Sequence, residues 1–368
     1  GGRAMRILLI VTGLGMGGAE RQVCDLADEF HKMGNNVAII SLTGKEIVLP
    51  MSKDIKIFSL NMKKNIFGLI HSLVQAKKVI DKFNPDIVHS HMFHANLFAR
   101  LLRIMTPMKK LICTAHSKNE GGHIRMLAYR ITDFLSDLNT NVSQEAVECF
   151  IQKGASPSNK IIPMLNGVSP DKFVFNKIQR ELIRSELNIT DDNFLFLAVG
   201  RLTDAKDYPN LLNSFTSVLN RNPKAVLAIV GQGEQKEELI SLAENFNINH
   251  SVYFLGLRRD IPALMSACDC FVLSSKYEGL PLVIMEGMLC ENVVVATDCG
   301  GTKEVVGNYG YLVARQNSNE LANAMVKVIN LSDNIRDSMG SEARKYIMEH
   351  YSLSVIAARW INLYQGNK

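Results

Sequence analysis

The chain has 368 residues, with 41 Lys and Arg against 36 Asp and Glu and a net charge of +5. Hydrophobic residues make up 47% and charged residues 21%. That is globular composition, and it excludes a disordered or fibrous chain. At roughly 150 residues per domain, the length predicts two domains, each large enough for its own core. The 7 cysteines are scattered without a C-x-x-C pair, the pattern of reduced thiols in a cytosolic protein and not of a disulfide scaffold or zinc site. No apolar run reaches the ~20 residues of a spanning helix. No secretory signal is recognisable, and residues 1–4 ahead of Met5 read as a cloning scar.

Taken in chain order, Arg6–Val11 is a short apolar run suited to a strand buried on both faces. A glycine-rich turn over Thr12–Gly18 follows, then a helical pattern to Met33. Asn36–Leu42 and Ile55–Leu60 read as strands. Ile66–Phe83 has helical spacing, and Asp86–Ser90 and Lys110–Ala115 are the next strands. The stretch Pro163–Pro170 carries the Pro, Asn and Gly signals of a linker. The pattern then restarts with strands at Phe194–Val199, Ala225–Val230, Val252–Leu255, Cys270–Leu273 and Val293–Ala296. Ile335–Tyr364 reads as helices and holds the single Trp, Trp360. Strand–helix alternation of this kind predicts parallel sheets with crossover helices. The expectation is an α/β protein of two Rossmann-like doubly wound domains, with ligands at the carboxyl ends of the strands and a cleft between the facing sheets. The expected boundaries are 5–165, 166–345 and a C-terminal helical segment, 346–368, returning toward the first domain.

Charge is uneven along this plan. Residues 1–165 carry 21 Lys/Arg and 13 Asp/Glu, while residues 166–368 carry 20 and 23. The basic half holds Lys63-Lys64, Lys77-Lys78 and Lys109-Lys110, with Arg100, Arg103, Arg125 and Arg130, among apolar Phe67, Ile70 and Val74. Such a face suits anionic lipid head groups, where each cation contributes about 1 kcal/mol. An ordinary solvated basic surface is the plainer alternative. No aromatic-interleaved basic stripe or reader motif points to nucleic acid.

Gly13-Leu14-Gly15-Met16-Gly17-Gly18 satisfies G-x-G-x-x-G between a strand and a helix. A nicotinamide enzyme would also place an acid at the end of its second strand. Here that region reads Ser41-Leu42-Thr43, with no acid. The loop is therefore either a tight turn or a set of amides approaching a phosphate or sugar.

The most informative segment runs from Ser274 to Glu286. A buried strand ends, a Gly/Pro turn follows, and a helix begins near Pro281, a residue tolerated at a helix start. Amides of the first turn, Leu282 and Val283 among them, would form an anion site. Glu278 precedes that turn, and Glu286 lies eight positions later inside the helix. Arg201 and Lys206 follow the first strand of the same half, where a diphosphate would need cations. Alone, each of these would read as a surface charge; both pairs at strand ends of one sheet do not.

Glu278 and Glu286, with Gly279 and Pro281 between them, resemble the E-x7-E motif of retaining glycosyltransferases of family 4, which have two Rossmann-like domains (GT-B). The resemblance extends to Gly17-Gly18-Ala19-Glu20-Arg21, Asp86-Ile87-Val88-His89-Ser90-His91, Asn166-Gly167-Val168, Gly200-Arg201-Leu202, Gly231-Gln232-Gly233-Glu234, and Gly300-Gly301 with Glu304. It implies that Glu286 binds the donor ribose and Glu278 the donor sugar. Arg201 and Lys206 would neutralise the diphosphate, Gly279, Leu280, Leu282 and Val283 would line it, and Gly17 would lie close to it. His116 matches the family's histidine at the edge of the donor sugar. Arg258, in the loop 256–259, is a candidate for stacking on the base.

The implied reaction moves a hexose or N-acetylhexosamine from a nucleotide diphosphate sugar, UDP over GDP-mannose, to a hydroxyl of a lipid-linked saccharide in bacterial surface-polysaccharide synthesis. The implied location is cytoplasmic, peripheral on the inner face of the membrane. No cofactor or metal is expected: no D-x-D occurs, and His89, His91 and His94 have no nearby acid or Cys to complete a metal shell. These three histidines are expected to border the acceptor cleft. Three other classes stay open on the residues alone: a nicotinamide oxidoreductase, a glycoside hydrolase using Glu278 and Glu286, and a non-catalytic nucleotide-sugar-binding module.

Overall fold

Continuous apolar runs with no polar alternation fit only strands covered on both faces, and that is where they lie. A computed structural model describes residues 3–15, 18–118, 120–278 and 281–366. It divides the chain into two compact units, one of Gly1–Gly167 with Leu353–Lys368, the other of Val168–Ser352.

The first unit holds seven parallel strands: β1 (Arg6–Val11), β2 (Asn36–Ser41), β3 (Lys56–Ser59), β4 (Ile87–His91), β5 (Leu111–Thr114), β6 (Leu138–Asn141) and β7 (Ile161–Pro163). Their spatial order is β3-β2-β1-β4-β5-β6-β7. The chain builds outward from β1, returns, and builds in the other direction from β4. Strand order thus reverses between β1 and β4, and the loops leaving these two strands splay apart to leave a crevice. β6 and β7 escape the sequence reading for a physical reason. β6 spells Leu-Asn-Thr-Asn, and its buried amides replace apolar packing with hydrogen bonds: Asn139 Nδ2 donates to Ser156 Oγ at 2.9 Å, and Asn141 Nδ2 donates to the Ser117 carbonyl at 2.9 Å. β7 has three residues and ends in Pro163, inside the stretch read as linker.

The second unit holds six parallel strands: β8 (Phe194–Val199), β9 (Ala225–Val230), β10 (Val252–Gly256), β11 (Cys270–Leu273), β12 (Val293–Thr297) and β13 (Tyr311–Val313), in the order β10-β9-β8-β11-β12-β13. Its reversal falls between β8 and β11. The expected boundary at 345 lies inside the helix Asp333–Tyr351, and the chain changes unit after Ser352 instead. The last helix, Leu353–Tyr364, packs on the helix Gly18–Lys32 of the first unit, with the Phe30 and Tyr364 rings 5.6 Å apart.

Two glycines allow the loops at the β8 end to nest. A Cβ on Gly231 (φ +146°) would sit 2.0 Å from the Gly200 carbonyl oxygen, and one on Gly233 would sit 2.3 Å from that of Leu202. These approaches are the physical content of the Gly231-Gln232-Gly233 motif. Gly231→Ala should therefore destabilise the chain by about 1–3 kcal/mol, read as a lower urea midpoint. Gly15→Ala, with no atom within 4 Å of its Cβ, should leave the midpoint unchanged.

Candidate functional site

The site of the second unit is assembled at the β8/β11 reversal by loops that bond to one another. After β8, a 3-10 turn at Asp204–Lys206 precedes the helix Tyr208–Arg221. After β11, Ser274 Oγ donates to the Lys206 carbonyl at 2.8 Å, and the Lys276 amide donates to the Ala205 carbonyl at 3.0 Å. Thr297, at the end of β12, donates to the Ser275 carbonyl at 2.6 Å. On this stitched frame Lys206 forms an ion pair with Glu278, and Ser275 Oγ donates to the same Glu278 oxygen at 2.9 Å. Lys206 has space because residue 200 is glycine, where a Cβ would meet the Lys206 side chain at 2.8 Å. Two of the four charges expected to meet are thus in direct contact.

The helix carrying the other acid is Leu282–Leu289, so Pro281 stands one position before it, and among the described residues no side chain caps its start. Leu282 and Val283 are half-buried in the first turn. Glu286 is half-buried too, and burial raises its carboxyl from the usual range to about 7. Among the described residues no hydrogen bond or ion pair reaches that carboxyl. Gly17, Gly279 and Leu280 lie outside the described residues.

Arg201 is exposed at the end of β8 and lines a cavity of about 620 Å³ with Gly200, the Gly231–Gly233 turn, Leu257, Arg258 and Ile261. Arg258 has an occupation that the sequence did not show. Its guanidinium donates to Asp260 at 2.7 and 2.9 Å and to Glu186 at 3.0 Å, which holds it in place and keeps it protonated. The apolar surface of this cavity comes instead from Leu257 and Ile261, which sequence reasoning passed over because no polar motif marks them.

In the first unit, His116 follows β5 and is half-buried. Its Nε2 lies 3.2 Å from His91 Nδ1, and the His91 ring packs 4.0 Å from that of His89. His89 bonds Tyr364 at 2.5 Å and Thr114 at 2.6 Å. Burial lowers His116 to about 4 and His89 to about 3, so both are neutral at neutral pH. The expectation that all three of His89, His91 and His94 border a cleft is corrected. His89 and His91 are core residues, buried because β4 is covered on both faces. His94 alone lines a cavity. Among the described residues no group of three or more His, Cys, Asp or Glu is placed to hold a metal ion.

The expected basic face is thinner than its residue count. Arg100 is buried and bonds the Tyr129 carbonyl, Thr132 and Asn139. Arg103 pairs with Asp137, Lys77 with Asp81 and Lys109 with Asp86, while Lys110 donates to the Leu363 carbonyl. Lys63, Lys64, Lys78 and Arg130 remain exposed.

These features define a GT-B protein: two Rossmann-like units, with cations and carboxylates at a strand-order reversal. Residues 16–172 match the model described as Glycosyltransferase Family 4, and residues 179–346 match that described as Glycosyl transferases group 1. The chain belongs to the family 4 glycosyltransferases. An uncharacterized glycosyltransferase of Methanocaldococcus jannaschii is 29% identical over 65% of this chain and 62% of that protein. The UDP-Gal:alpha-D-GlcNAc-diphosphoundecaprenol alpha-1,3-galactosyltransferase of Escherichia coli is 25% identical over 77% of this chain and 76% of its own length. Anabaena Alr3699/HepE, solved in complex with UDP, has the same fold, with a TM-score of 0.82, 21% identity, and 98% and 100% of the two chains covered.

Two outcomes follow from the site's electrostatics. A carboxyl raised to about 7 by burial binds protons in the folded state that the unfolded chain has released. Its cost is absent below about pH 4.5 and complete above about pH 7. Glu286→Gln should therefore raise the thermal midpoint at pH 8 but not at pH 4.5, while weakening nucleotide binding. Lys206→Ala should cost about 1–3 kcal/mol of stability because it strands a half-buried carboxylate. The double variant Lys206→Met with Glu278→Gln should recover part of that loss in urea denaturation.

Proposed function

We propose that this glycosyltransferase moves a hexose or N-acetylhexosamine from a UDP-sugar, with retention, to a hydroxyl of a lipid-linked saccharide in surface-polysaccharide assembly. The observation that carries the reading is the Lys206–Glu278 pair at the β8/β11 reversal, with Arg201 at the end of β8 and Glu286 on the helix that follows. UDP is favoured because the E. coli relative is named for UDP-Gal and the Anabaena neighbour holds UDP. The diphosphoundecaprenol in the relative's name supports a lipid-linked acceptor.

In this mechanism the bond from the anomeric carbon to the β-phosphate oxygen breaks, and the acceptor oxygen bonds to that carbon from the same face. The acceptor proton passes to the leaving phosphate oxygen, so no protein nucleophile takes part. Negative charge grows on the phosphate as the bond breaks. Arg201, Lys206 and the amides of Leu282 and Val283 stabilise it most where it is largest, in the transition state. Lys206 then exchanges part of its contact with Glu278 for the diphosphate, freeing Glu278 for the donor sugar. Glu286 takes the ribose hydroxyls, ionising as they donate to it. Leu257 and Ile261 give the base an apolar wall, with Arg258 fixed beside them. The two cations take the place of a metal.

The protein's membrane partner is the anionic inner surface of the cell membrane. The helices Ile66–Phe83, Phe93–Met105 and His123–Thr132 pack in series. They leave Phe67, Ile70, Ile104, Ile124 and Ile131 exposed, with Lys63, Lys64, Lys78 and Arg130 among them to meet acidic head groups.

A thermal-shift panel should show stabilisation by UDP over GDP, about 2.7 kcal/mol at 100 times the dissociation constant. Lys206→Ala should lower turnover by about 10²–10³-fold, and EDTA should leave turnover intact. A GDP-only shift, or activity abolished by EDTA, overturns the donor or metal assignment. Vesicles containing phosphatidylglycerol should co-float the protein, and Phe67→Ser with Ile124→Ser should reduce this. Equal flotation of both proteins sinks the membrane face.

A further inference from the structure

A second ion pair stands beside the Lys206–Glu278 pair at the β8/β11 reversal. Two loops meet there, the Asp204–Lys206 turn after β8 and the segment 274–278 after β11. Each carries one acid and one base two positions apart, in opposite order: Asp204 and Lys206 on the first, Lys276 and Glu278 on the second. Both oppositely charged pairs form between the loops. Lys206 meets Glu278, and Lys276 Nζ lies 2.8 Å from Asp204 Oδ1. The order of charges therefore encodes a register. A slip of two positions either way would oppose Asp204 to Glu278 or Lys206 to Lys276, like charges that repel in both cases.

Lys276 is the junction of this arrangement. Its amide donates to the Ala205 carbonyl at 3.0 Å, its ammonium meets Asp204, and its carbonyl accepts from Arg315 Nη1 at 3.1 Å. Arg315 stands in the loop after β13, so three loops join at one residue. The bond to Asp204 raises the Lys276 ammonium above the ordinary lysine range, and the Asp207 charge adds to that. The Asp204 side chain is 73% exposed, and a pair with so exposed a partner contributes little to global stability. What it fixes is alignment. Glu278 lies two residues beyond Lys276, and its carboxyl bonds go to Lys206 and to Ser275. With Lys276 and Asp204 engaged with each other, neither competes for Glu278 or Lys206.

We infer that Lys276, through its pair with Asp204, is a positioning residue for the transfer: it keeps the Glu278 segment in register with the Lys206 turn, and so sets turnover and not donor affinity. The inference rests on the transferase reading. Lys276 acts through Lys206 and Glu278 and is not itself a catalytic residue. A small misplacement of Lys206 costs most where charge on the leaving phosphate is largest, which is in the transition state.

The test is UDP release from UDP-glucose, UDP-galactose and UDP-N-acetylglucosamine, with water as the acceptor. The bond from the anomeric carbon to the β-phosphate oxygen breaks, a water oxygen bonds to that carbon, and a proton of that water passes to the phosphate. At least one donor should turn over on the parent chain. Lys276→Met and Asp204→Asn should each lower kcat for that donor about tenfold, with KM within about twofold of the parent. The double variant should lose no more than either single, because both remove one and the same pair. Lys276→Arg, which keeps the charge, should recover most of the rate. The thermal midpoint should fall by no more than about 2 °C in each variant. A parent-like kcat in Lys276→Met, losses that multiply in the double variant, a rise in KM alone, or no recovery in Lys276→Arg overturns the inference. A midpoint lowered by more than that assigns the pair to the fold and also overturns it. A parent chain that releases UDP from none of the three donors sinks the transferase reading instead. Amide hydrogen exchange then decides the register by itself: it stands if exchange at residues 276–278 quickens in Lys276→Met, and falls if exchange there is unchanged.

Discussion

The second unit depends on one electrostatic arrangement: the Lys206 ammonium against the Glu278 carboxylate, across the gap where strand order reverses between β8 and β11. Parallel strands force every loop at their carboxyl ends to the same side, and only at a reversal do two of those loops diverge. Charges placed there approach each other with few backbone groups between them. The surrounding bonds, Ser274 to Lys206, Ser275 to Glu278 and Thr297 to Ser275, hold the pair in place.

Ion pair and isolated acid complement each other. Lys206 and Glu278 neutralise one another, whereas the Glu286 carboxyl has no partner among the described residues and is raised by burial alone. A group held near neutrality can change charge at little cost when hydroxyl donors arrive. The same combination recurs in the first unit, where Glu120 is raised by burial and braced by Tyr129. Each unit therefore carries a poised carboxyl close to its own reversal point, one on a helix and the other on a left-handed turn.

Much of this was legible in the sequence where chemistry and pattern coincide. The apolar strands β1, β8, β9 and β11 stand at the residues their composition indicates, Arg201, Lys206 and Glu278 lie in loops that follow β8 and β11, and Glu286 lies in the helix after them. What escaped detection did so for identifiable reasons. β6 hides its burial in amides that bond internally. β13 has three residues, too few for a period to show. Leu257 and Ile261 carry no polar signature. Arg100 and Arg258 count as surface cations in any tally of charge, yet one is buried and the other is held by two carboxylates. Glu120 was invisible because its partner Tyr129 is nine positions away, and Asn96, which donates to Tyr129, is twenty-four.

From its sequence alone this chain is committed to two parallel α/β units, to the E-x7-E segment and to the family it joins, because buried-strand composition and short-range motifs are local properties. Which charges pair, which histidines are core and which arginines are free was decided only by the tertiary structure. Partnership and desolvation depend on contacts between residues far apart in the chain, and a one-dimensional pattern does not record them.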